Sequence, residues 1–500
     1  MEMIKGKMET SPKILEEKLH QIWLNQEFVK PLITKTGDKI SIIHPGTYNG
    51  DSAGPDFKHA RIQIGSLTFV GDVEIDYDYS NWKTHGHNIN KRYNKVILHV
   101  TYLNKQKHHY IYTSEGRKVA TIALIDFVED GLITNLLEQK QTKKKLNKII
   151  LKCADEIGTV DDETRRKFIL KYGIKRFQKK SERIFRRLKE LKYLKDLQIN
   201  EPVVRYELTK EFNEKEFTHE DFKDTFLWKQ ILYELVFEAL GYSKNKNIML
   251  KLAQNINLEF LQRIENDKNL DEKLEALFFS VAGLLPQLEG LKKEQVSDYV
   301  VSLNNKWDEL KTLYDNKLFD ETQWHFLGQR PQNFPTIRIA GGIQLVKAIL
   351  YNNLVGKIIK KFSEIHDTKV LINSVRSLFI LKSSSYWKTH YIFEKKAKNE
   401  IKYFIGVSRA DEIFINVLLP YLSVYFDMFG NTTISKKVLK VYNDYEQKMD
   451  NKIVRDVAES LQLFGLNKKT IYMQGMIEVY RKLCSKNKCL ECEIGREVFN

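Results

Sequence analysis

Cysteine is scarce in this sequence, with four residues in a chain of 500. So few cysteines do not make a disulfide framework, which excludes the class of small crosslinked secreted domains. Apolar runs of about 18 residues, the length that crosses a membrane, are also missing. The most apolar segment, residues 414–429, contains Pro420 and Asp427, so it is typical of a buried helix. The polar first eleven residues lack the apolar core of a signal peptide, and we expect a cytoplasmic protein.

The composition predicts a folded chain whose positive charge is concentrated in one region. Hydrophobic residues make up 42% and charged residues 29%, and a length of 500 residues predicts at least two domains. The net charge is +16, and residues 131–200 contain 20 Lys and Arg against nine Asp and Glu. A localised positive segment attracts phosphate polymers, so nucleic acid (DNA or RNA) is the expected partner. The alternative interpretation of this basic segment is a lysine-rich helix face that contacts only solvent.

Hydrophobic periodicity predicts an α+β fold. The strands expected are 40–44, 60–64, 67–77, 95–103, 109–113 and 118–125, preceded by a helix at 12–27, with hairpins at 60–77 and 109–125. Helices are expected at 161–197 (one or a pair), 226–240, 274–285, 343–359, 413–429 and 436–448. We therefore predict a small mixed-sheet domain at 1–130, a basic helical connector at 131–200 and an all-α domain at 201–500.

One strand carries three carboxylates on a single face. Asp72, Glu74 and Asp76 are spaced two residues apart, and side chains alternate along a strand. Neighbouring carboxylates repel one another unless a cation lies between them, and a divalent ion bound by oxygen atoms is the natural partner. For Asp72 and Asp76 taken singly, a solvent-facing position is the simpler interpretation, whereas Glu74 is favoured as functional.

Asp56 is expected to lie beside Glu74, because Gly54-Pro55-Asp56 begins the first strand of the hairpin and Glu74 is on the second. This arrangement, with helix, hairpin, helix and apolar strand in that order, resembles the core of the PD-(D/E)xK nuclease superfamily. The resemblance implies that Asp56 and Glu74 bind Mg²⁺ or Mn²⁺, assisted by Asp72 or Asp76. Where that superfamily has its Lys, this chain has Asp76, so Lys58, Lys83, His85 or His87 would replace the missing cation.

Histidines follow the carboxylate strand. His85 and His87 flank Gly86 and follow Trp82, and imidazoles near carboxylates also suit Zn²⁺ or Mn²⁺. We interpret His85 and His87 as catalytic or metal-binding residues, and His99 as a core histidine on a buried strand.

The 161–197 helix is the expected nucleic-acid surface. Its apolar residues share one face, and the remaining faces carry the candidate phosphate contacts, which are Arg165, Arg166, Lys175, Arg176, Lys179, Lys180, Arg183, Arg186 and Arg187.

The last cysteines have the spacing C-x4-C-x2-C, formed by Cys484, Cys489 and Cys492. Cys153 is the only other cysteine that can complete a set of four ligands, so a structural Zn²⁺ or an iron–sulfur cluster is expected, with free thiols as the alternative. Some nucleases similar to the superfamily named above hold an iron–sulfur cluster with one early and three late cysteines. Their nuclease motifs lie between those cysteines, whereas Asp56 and Glu74 precede Cys153.

Four motifs together resemble an uncharacterised bacterial family, domain of unknown function 2851. They are Gly-Pro-Asp-Phe (54–57), Gly-Asp-Val-Glu-Ile (71–75), Trp-x-x-His-Gly-His (82–87) and Ile-Leu-His-Val (97–100). The resemblance continues through Arg-Pro-Gln-Asn-Phe-Pro (330–335), where Arg330 and Arg338 either clamp phosphate or, more simply, belong to a rigid helix connection. It implies no particular activity.

The sequence favours a metal-dependent nuclease or phosphodiesterase acting on nucleic acid, as an endonuclease or exonuclease. The missing Lys leaves open a non-catalytic nucleic-acid-binding or scaffold protein on a degenerate nuclease fold. A Zn-dependent small-molecule hydrolase is the third alternative, and it predicts a deep pocket at His85 and His87.

Overall fold

A computed structural model of the chain describes residues 12–34, 36–49, 54–104, 108–129, 149–198, 210–288, 296–326, 329–447 and 451–499. The chain divides into two compact units, residues 1–148 and 149–500. The first contains a mixed sheet and the second is mostly helical, which confirms the α+β class. None of the helices described is both long enough and apolar enough to cross a membrane. The predicted domain boundaries stay predictions, and the connector residues 131–148 lie outside the described residues.

The first unit is built on a seven-stranded sheet. Its strands are β1 (Ile40–His44), β2 (Thr47–Tyr48), β3 (Phe57–Ile64), β4 (Leu67–Asp78), β5 (Val96–Leu103), β6 (Tyr110–Tyr112) and β7 (Lys118–Ala123), with helices α1 (Pro12–Asn25) and α2 (Asn81–Thr84). The strand order is β1-β3-β4-β5-β7-β6, and β2 pairs with β3. The β4–β5 and β5–β7 pairs are parallel, and the other pairs are antiparallel.

Both predicted hairpins are confirmed. Gly65 and Ser66 form the turn between β3 and β4, and Gly65 has φ of 60°, a left-handed conformation that glycine adopts without steric cost. The register pairs Ile64 with Leu67 at the turn and Phe57 with Val73 at the far end. This pairing brings the start of β3 next to the middle of β4, where the carboxylates lie.

The sheet is covered on both faces around the middle of β4. Val73 and Ile75 pack with Leu19, Ile22 and Trp23 of α1 in the main core of this unit. A smaller cluster contains Trp82, Tyr93, Val96, Ile111 and Val119. Because α2 and the turns after it cover the second face, Asp72 and Asp76 are only 7% and 1% exposed. The expectation that these two carboxylates face solvent is therefore wrong.

The second unit is a helical assembly. Its helices are α3 (Asp162–Asp196), α4 (Lys210–Glu214), α5 (Thr225–Leu240), α6 (Lys246–Asn255), α7 (Leu258–Gln262), α8 (Leu270–Val281), α9 (Asp298–Leu310), α10 (Pro335–Leu350), α11 (Leu354–Glu364), α12 (Thr368–Arg376), α13 (Val407–Ile413), α14 (Leu419–Met428), α15 (Thr432–Asp444), α16 (Lys452–Ser460), α17 (Thr470–Lys482) and α18 (Glu493–Phe499). Two small two-stranded sheets accompany them, made by β8 (Leu381–Lys382) with β11 (Tyr403–Ile405) and by β9 (His390–Ile392) with β10 (Lys395–Lys396).

Two helix predictions change. The segment 161–197 is one helix of 35 residues rather than a pair. The helix predicted at 343–359 is wrong, because α10 ends at Leu350 and α11 begins at Leu354. Asn353 separates them with φ of 47°, and its side chain accepts a hydrogen bond from the amide of Gly356, which caps the new helix. Asn adopts this left-handed conformation at a low cost in free energy, so the chain can break here without a glycine or proline. The apolar residues keep their helical spacing on both sides of the break, and the sequence pattern therefore indicated one continuous helix.

Candidate metal centre

Asp56 and Glu74 lie side by side where β3 and β4 stop pairing. The amide of Asp56 donates to Oε2 of Glu74 (3.1 Å), and the amide of Ile75 donates to Oδ2 of Asp56 (2.9 Å). Carboxylate oxygens thus replace the carbonyl acceptors of the strand ladder. Nε2 of His20, on α1, is 3.2 Å from the same Asp56 oxygen. One oxygen of each carboxylate is therefore committed to the backbone, and their joint metal binding stays a prediction.

Asp76, His85 and His87 form the tightest group of metal-ligating side chains in the part of the chain that is described. One ligand atom from each lies within 4.8 Å of the other two. Nδ1 of His85 is 3.2 Å from Oδ1 of Asp76, and Nε2 of His87 is 3.1 Å from Oε1 of Glu74. Ligands that bind one metal through bonds of about 2.0–2.2 Å are themselves about 3.0–3.6 Å apart, a range that includes the His85–Asp76 and the His87–Glu74 separations.

His87 is the residue whose surroundings most strongly indicate a metal ligand. It is 3% exposed, and its Nε2 has no partner with hydrogen-bond geometry among the described residues although Glu74 is close. Burial lowers the pKa of His87 to about 4, despite the opposing charge of Asp76. The imidazole is therefore neutral at neutral pH and keeps the lone pair that a metal requires. An unpaired buried nitrogen costs free energy, which a bound cation would recover.

His99 holds Asp76 from the neighbouring strand. Its Nε2 is 3.1 Å from Oδ2 of Asp76, and its Nδ1 is 3.0 Å from the hydroxyl of Thr121 on β7. Burial raises the pKa of Asp76, but hydrogen bonds from His85 and His99 outweigh burial and hold that pKa below its usual value. His99 is fully buried, as its interpretation as a core histidine requires, but it also positions a carboxylate of the candidate site.

Two other predicted residues lie apart from this group. Asp72 accepts a hydrogen bond from the amide of His59, at a bulge in β3 where His59 has φ of 58°, so it secures a backbone irregularity. Lys83 is exposed on α2, and its contacts in the described residues do not include the site carboxylates.

Sequence reasoning missed His20 and Tyr93. His20 lies between the buried Leu19 and Ile22 on α1, and a polar residue within that apolar stripe was the available signal. The ring of Tyr93 is 4.0 Å from that of His87, and Tyr93 is 1% exposed. Nothing in the local pattern distinguishes Tyr93 from the other aromatic residues nearby.

Most of the basic side chains of α3 are used inside the second unit. Arg176 pairs with Glu478 (2.6 Å), Arg183 with Glu238 (2.6 Å) and Arg187 with Glu234 (2.8 Å). The others in contact are Arg165 with the carbonyl of Leu461, Lys180 with Asn416 and Gln474, Arg166 with Asp162, and Arg186 with Glu190. Lys175 and Lys179 are exposed. Contact between α3 and nucleic acid stays a prediction that now depends on these two lysines and on the exposed side chains of Arg166, Arg183 and Arg186.

The four cysteines meet in the second unit. Cys153, Cys484, Cys489 and Cys492 are all free thiols and all line one cavity of about 230 Å³. Cys153 lies before α3, and the other three lie in the turns between α17 and α18. The loop that contains Arg330 leads directly into α10, where Arg338 is buried and donates to the side chains of Tyr242 and Asn333. Arg338 thus connects elements of the fold, which agrees with the simpler interpretation of this loop.

Comparison with known proteins gives one match. Curated proteins and solved structures yield none. A family model described as "Protein of unknown function (DUF2851)" matches residues 16–217 and 213–452, which include the candidate metal centre and α3. Since these matches cover most of the 500 residues, the chain belongs to the DUF2851 family.

Proposed function

We propose that the first unit is a metal-dependent hydrolase of phosphodiester bonds in nucleic acid, with the metal held by Asp76, His85 and His87 and with Glu74 beside it. The observation that carries the proposal is the grouping of these three ligand atoms within 4.8 Å, around a buried imidazole nitrogen that has no hydrogen-bond partner. A mixed set of imidazole and carboxylate ligands favours Mn²⁺ or Zn²⁺ over Mg²⁺, which prefers oxygen ligands.

The phosphodiester substrate is supported by the order of elements around the site. An antiparallel hairpin, β3–β4, is followed by α2 and then by β5, which is parallel to β4. This is also the order in the PD-(D/E)xK core, in which Asp56 and Glu74 would take the two acidic positions. A divalent metal held by Asp76, His85 and His87 would supply Lewis-acid polarisation of the phosphoryl group and activation of a water.

The side chains around the metal position have distinct roles in this proposal. Asp76 is kept ionised by two histidines, so its charge is available to a cation. His20, 3.2 Å from Asp56, would orient that carboxylate beside the site. His85 is about 40% exposed and is the ligand nearest to solvent, so a polymeric substrate would approach from its side.

Calorimetric titration of the full chain with Mn²⁺ and Zn²⁺ tests the metal site, and cleavage assays on single- and double-stranded DNA and RNA test the activity. We expect saturable metal binding and metal-dependent cleavage, with both strongly reduced in His87→Ala and Asp76→Asn, because each change removes a ligand. His109→Ala, at an exposed histidine of the same unit, is the matched control and should behave like the unmodified chain.

The remaining outcomes separate the alternatives. Metal binding without cleavage of any nucleic acid would favour the non-catalytic scaffold, or the small-molecule hydrolase if phosphoester or amide test substrates are cleaved instead. If the unmodified chain binds neither metal, the proposal is wrong.

A further inference from the structure

The sequence contains four cysteines, and all four line one cavity although they come from distant parts of the sequence. Cys153 is more than 300 residues from Cys484, yet both line the same cavity. Cys153 and Cys492 are buried, whereas Cys484 and Cys489 are partly exposed. Four unpaired thiols around one cavity form a complete set of ligands for a soft metal centre.

The sulfur atoms are spread more widely than a single ion requires. A tetrahedral Zn²⁺ with Zn–S bonds of about 2.3 Å places its sulfurs about 3.8 Å apart. Among the described residues, no set of three cysteines has all its sulfurs within 4.8 Å of one another. The cavity of about 230 Å³ is also several times the volume that one water occupies, which is about 30 Å³. A group of several atoms fits this space better than one ion.

We propose that Cys153, Cys484, Cys489 and Cys492 hold an iron–sulfur cluster that fastens the segment before α3 to the C-terminal turns. In such clusters the cysteines bind different irons, which separates the sulfurs. The cluster therefore agrees with the number of thiols and with sulfurs that are not grouped within 4.8 Å. It is independent of the metal centre proposed in the first unit.

The backbone around Cys492 supports this assignment. Cys492 immediately precedes α18, and Gly495 lies in the first turn of that helix. A Cβ at Gly495 would lie 2.2 Å from the carbonyl oxygen of Cys489. Glycine at this position therefore allows the turn that carries Cys489 and Cys492 to close against α18.

The test is the composition of the full chain, produced with sufficient iron and purified without oxygen. We expect iron and acid-labile sulfide in equal amounts, at about two or about four of each per chain, together with the visible absorption of thiolate-bound iron. Iron and sulfide should be lost in Cys484→Ser and Cys489→Ser, the variants at the two partly exposed ligands. Ser485→Ala, at a neighbouring residue that also lines the cavity, should keep both.

The unmodified chain decides the matter even if the cysteine variants fail to fold. Zinc without sulfide would exclude the cluster, and zinc that persists in His87→Ala would assign a mononuclear site to the cysteines. Neither metal nor sulfide in the anaerobically purified chain would show that the cysteines are free thiols. Either result overturns the proposal, and neither bears on the phosphodiesterase assay.

Discussion

Asp76 is the residue on which the candidate metal centre depends most, because both of its oxygens are engaged. Oδ1 faces His85 and Oδ2 faces His99, while His99 is itself fixed by the hydroxyl of Thr121. A hydroxyl that donates to Nδ1 leaves the proton on Nε2, where it binds Asp76. Partners of this kind orient the groups that bind a metal and tune their affinity.

Thr121→Val should weaken metal binding without removing any proposed ligand. The change keeps the shape of the side chain and removes the hydroxyl that orients His99, so we expect a loss of about 10–100-fold in Mn²⁺ or Zn²⁺ affinity. Calorimetric titration measures this directly.

The matched control is Thr101→Val. Thr101 is equally buried on the adjacent strand, but its hydroxyl donates to the carbonyl of Ile122 rather than to a histidine. Equal metal affinity in the two variants would contradict a positioning role for Thr121 and His99.

At the scale of elements, the crossing of α3 and α17 determines where the cysteines meet. Gly173 and Gly475 lie at this crossing. A Cβ at Gly475 would be 2.1 Å from the carbonyl oxygen of Ile169, and one at Gly173 would be 2.3 Å from that of Ile471. The two backbones therefore touch directly. Cys153 precedes α3 and Cys484 follows α17, so this close approach helps to bring the two cysteines to one cavity.

Gly475→Ala should destabilise the second unit by about 1–3 kcal/mol or more, because the added methyl group meets backbone that has no room to move. Urea denaturation followed by circular dichroism measures the change. Gly158→Ala is the control, since a Cβ there has no neighbour within 4 Å. Equal stability of the two variants would mean that the helices separate easily at this crossing.

At the scale of the whole molecule, the net charge of +16 suggests more free basic side chains for phosphate binding than the structure provides. The guanidinium groups of Arg176, Arg183 and Arg187 are paired with carboxylates from α17 and α5, and these bonds hold α3 against the rest of its unit. The pairs of Arg176 and Arg187 are largely buried and costly to break, so these two arginines are not free to exchange a carboxylate for a phosphate, whereas the side chain of Arg183 is 52% exposed.

If the chain binds nucleic acid along α3, the double change Lys175→Ala and Lys179→Ala should reduce the dependence of binding on salt. Each lost phosphate contact lowers the slope of log K against log salt by about 0.7–0.9, so we expect a decrease of about 1.5. Fluorescence anisotropy with a labelled oligonucleotide at several salt concentrations measures the slope.

Lys436→Ala with Lys440→Ala is the matched control, because these two lysines are also exposed and also four residues apart, on α15. An identical fall in slope for both pairs would indicate diffuse attraction by the net charge instead of contact along α3.

The sequence by itself determined the local features of this protein. Alternation and the Gly65-Ser66 turn predicted the β3–β4 hairpin, and helical periodicity predicted α3, because such patterns repeat within a few residues. The hairpin also placed Asp56 next to Glu74. Residue types alone identified Asp76, His85, His87 and the cysteines as candidates for metal binding.

Only the tertiary structure decided which of these residues meet. Asp76 became a buried partner of His85 and His99 because α2 covers a face that a lone hairpin would leave in water. Cys153 joined Cys484 because two helices cross at glycines, and three of the six arginines of α3 were paired by carboxylates from other helices. Burial and partners depend on packing between segments that are distant in sequence, and a local pattern contains no information about that packing.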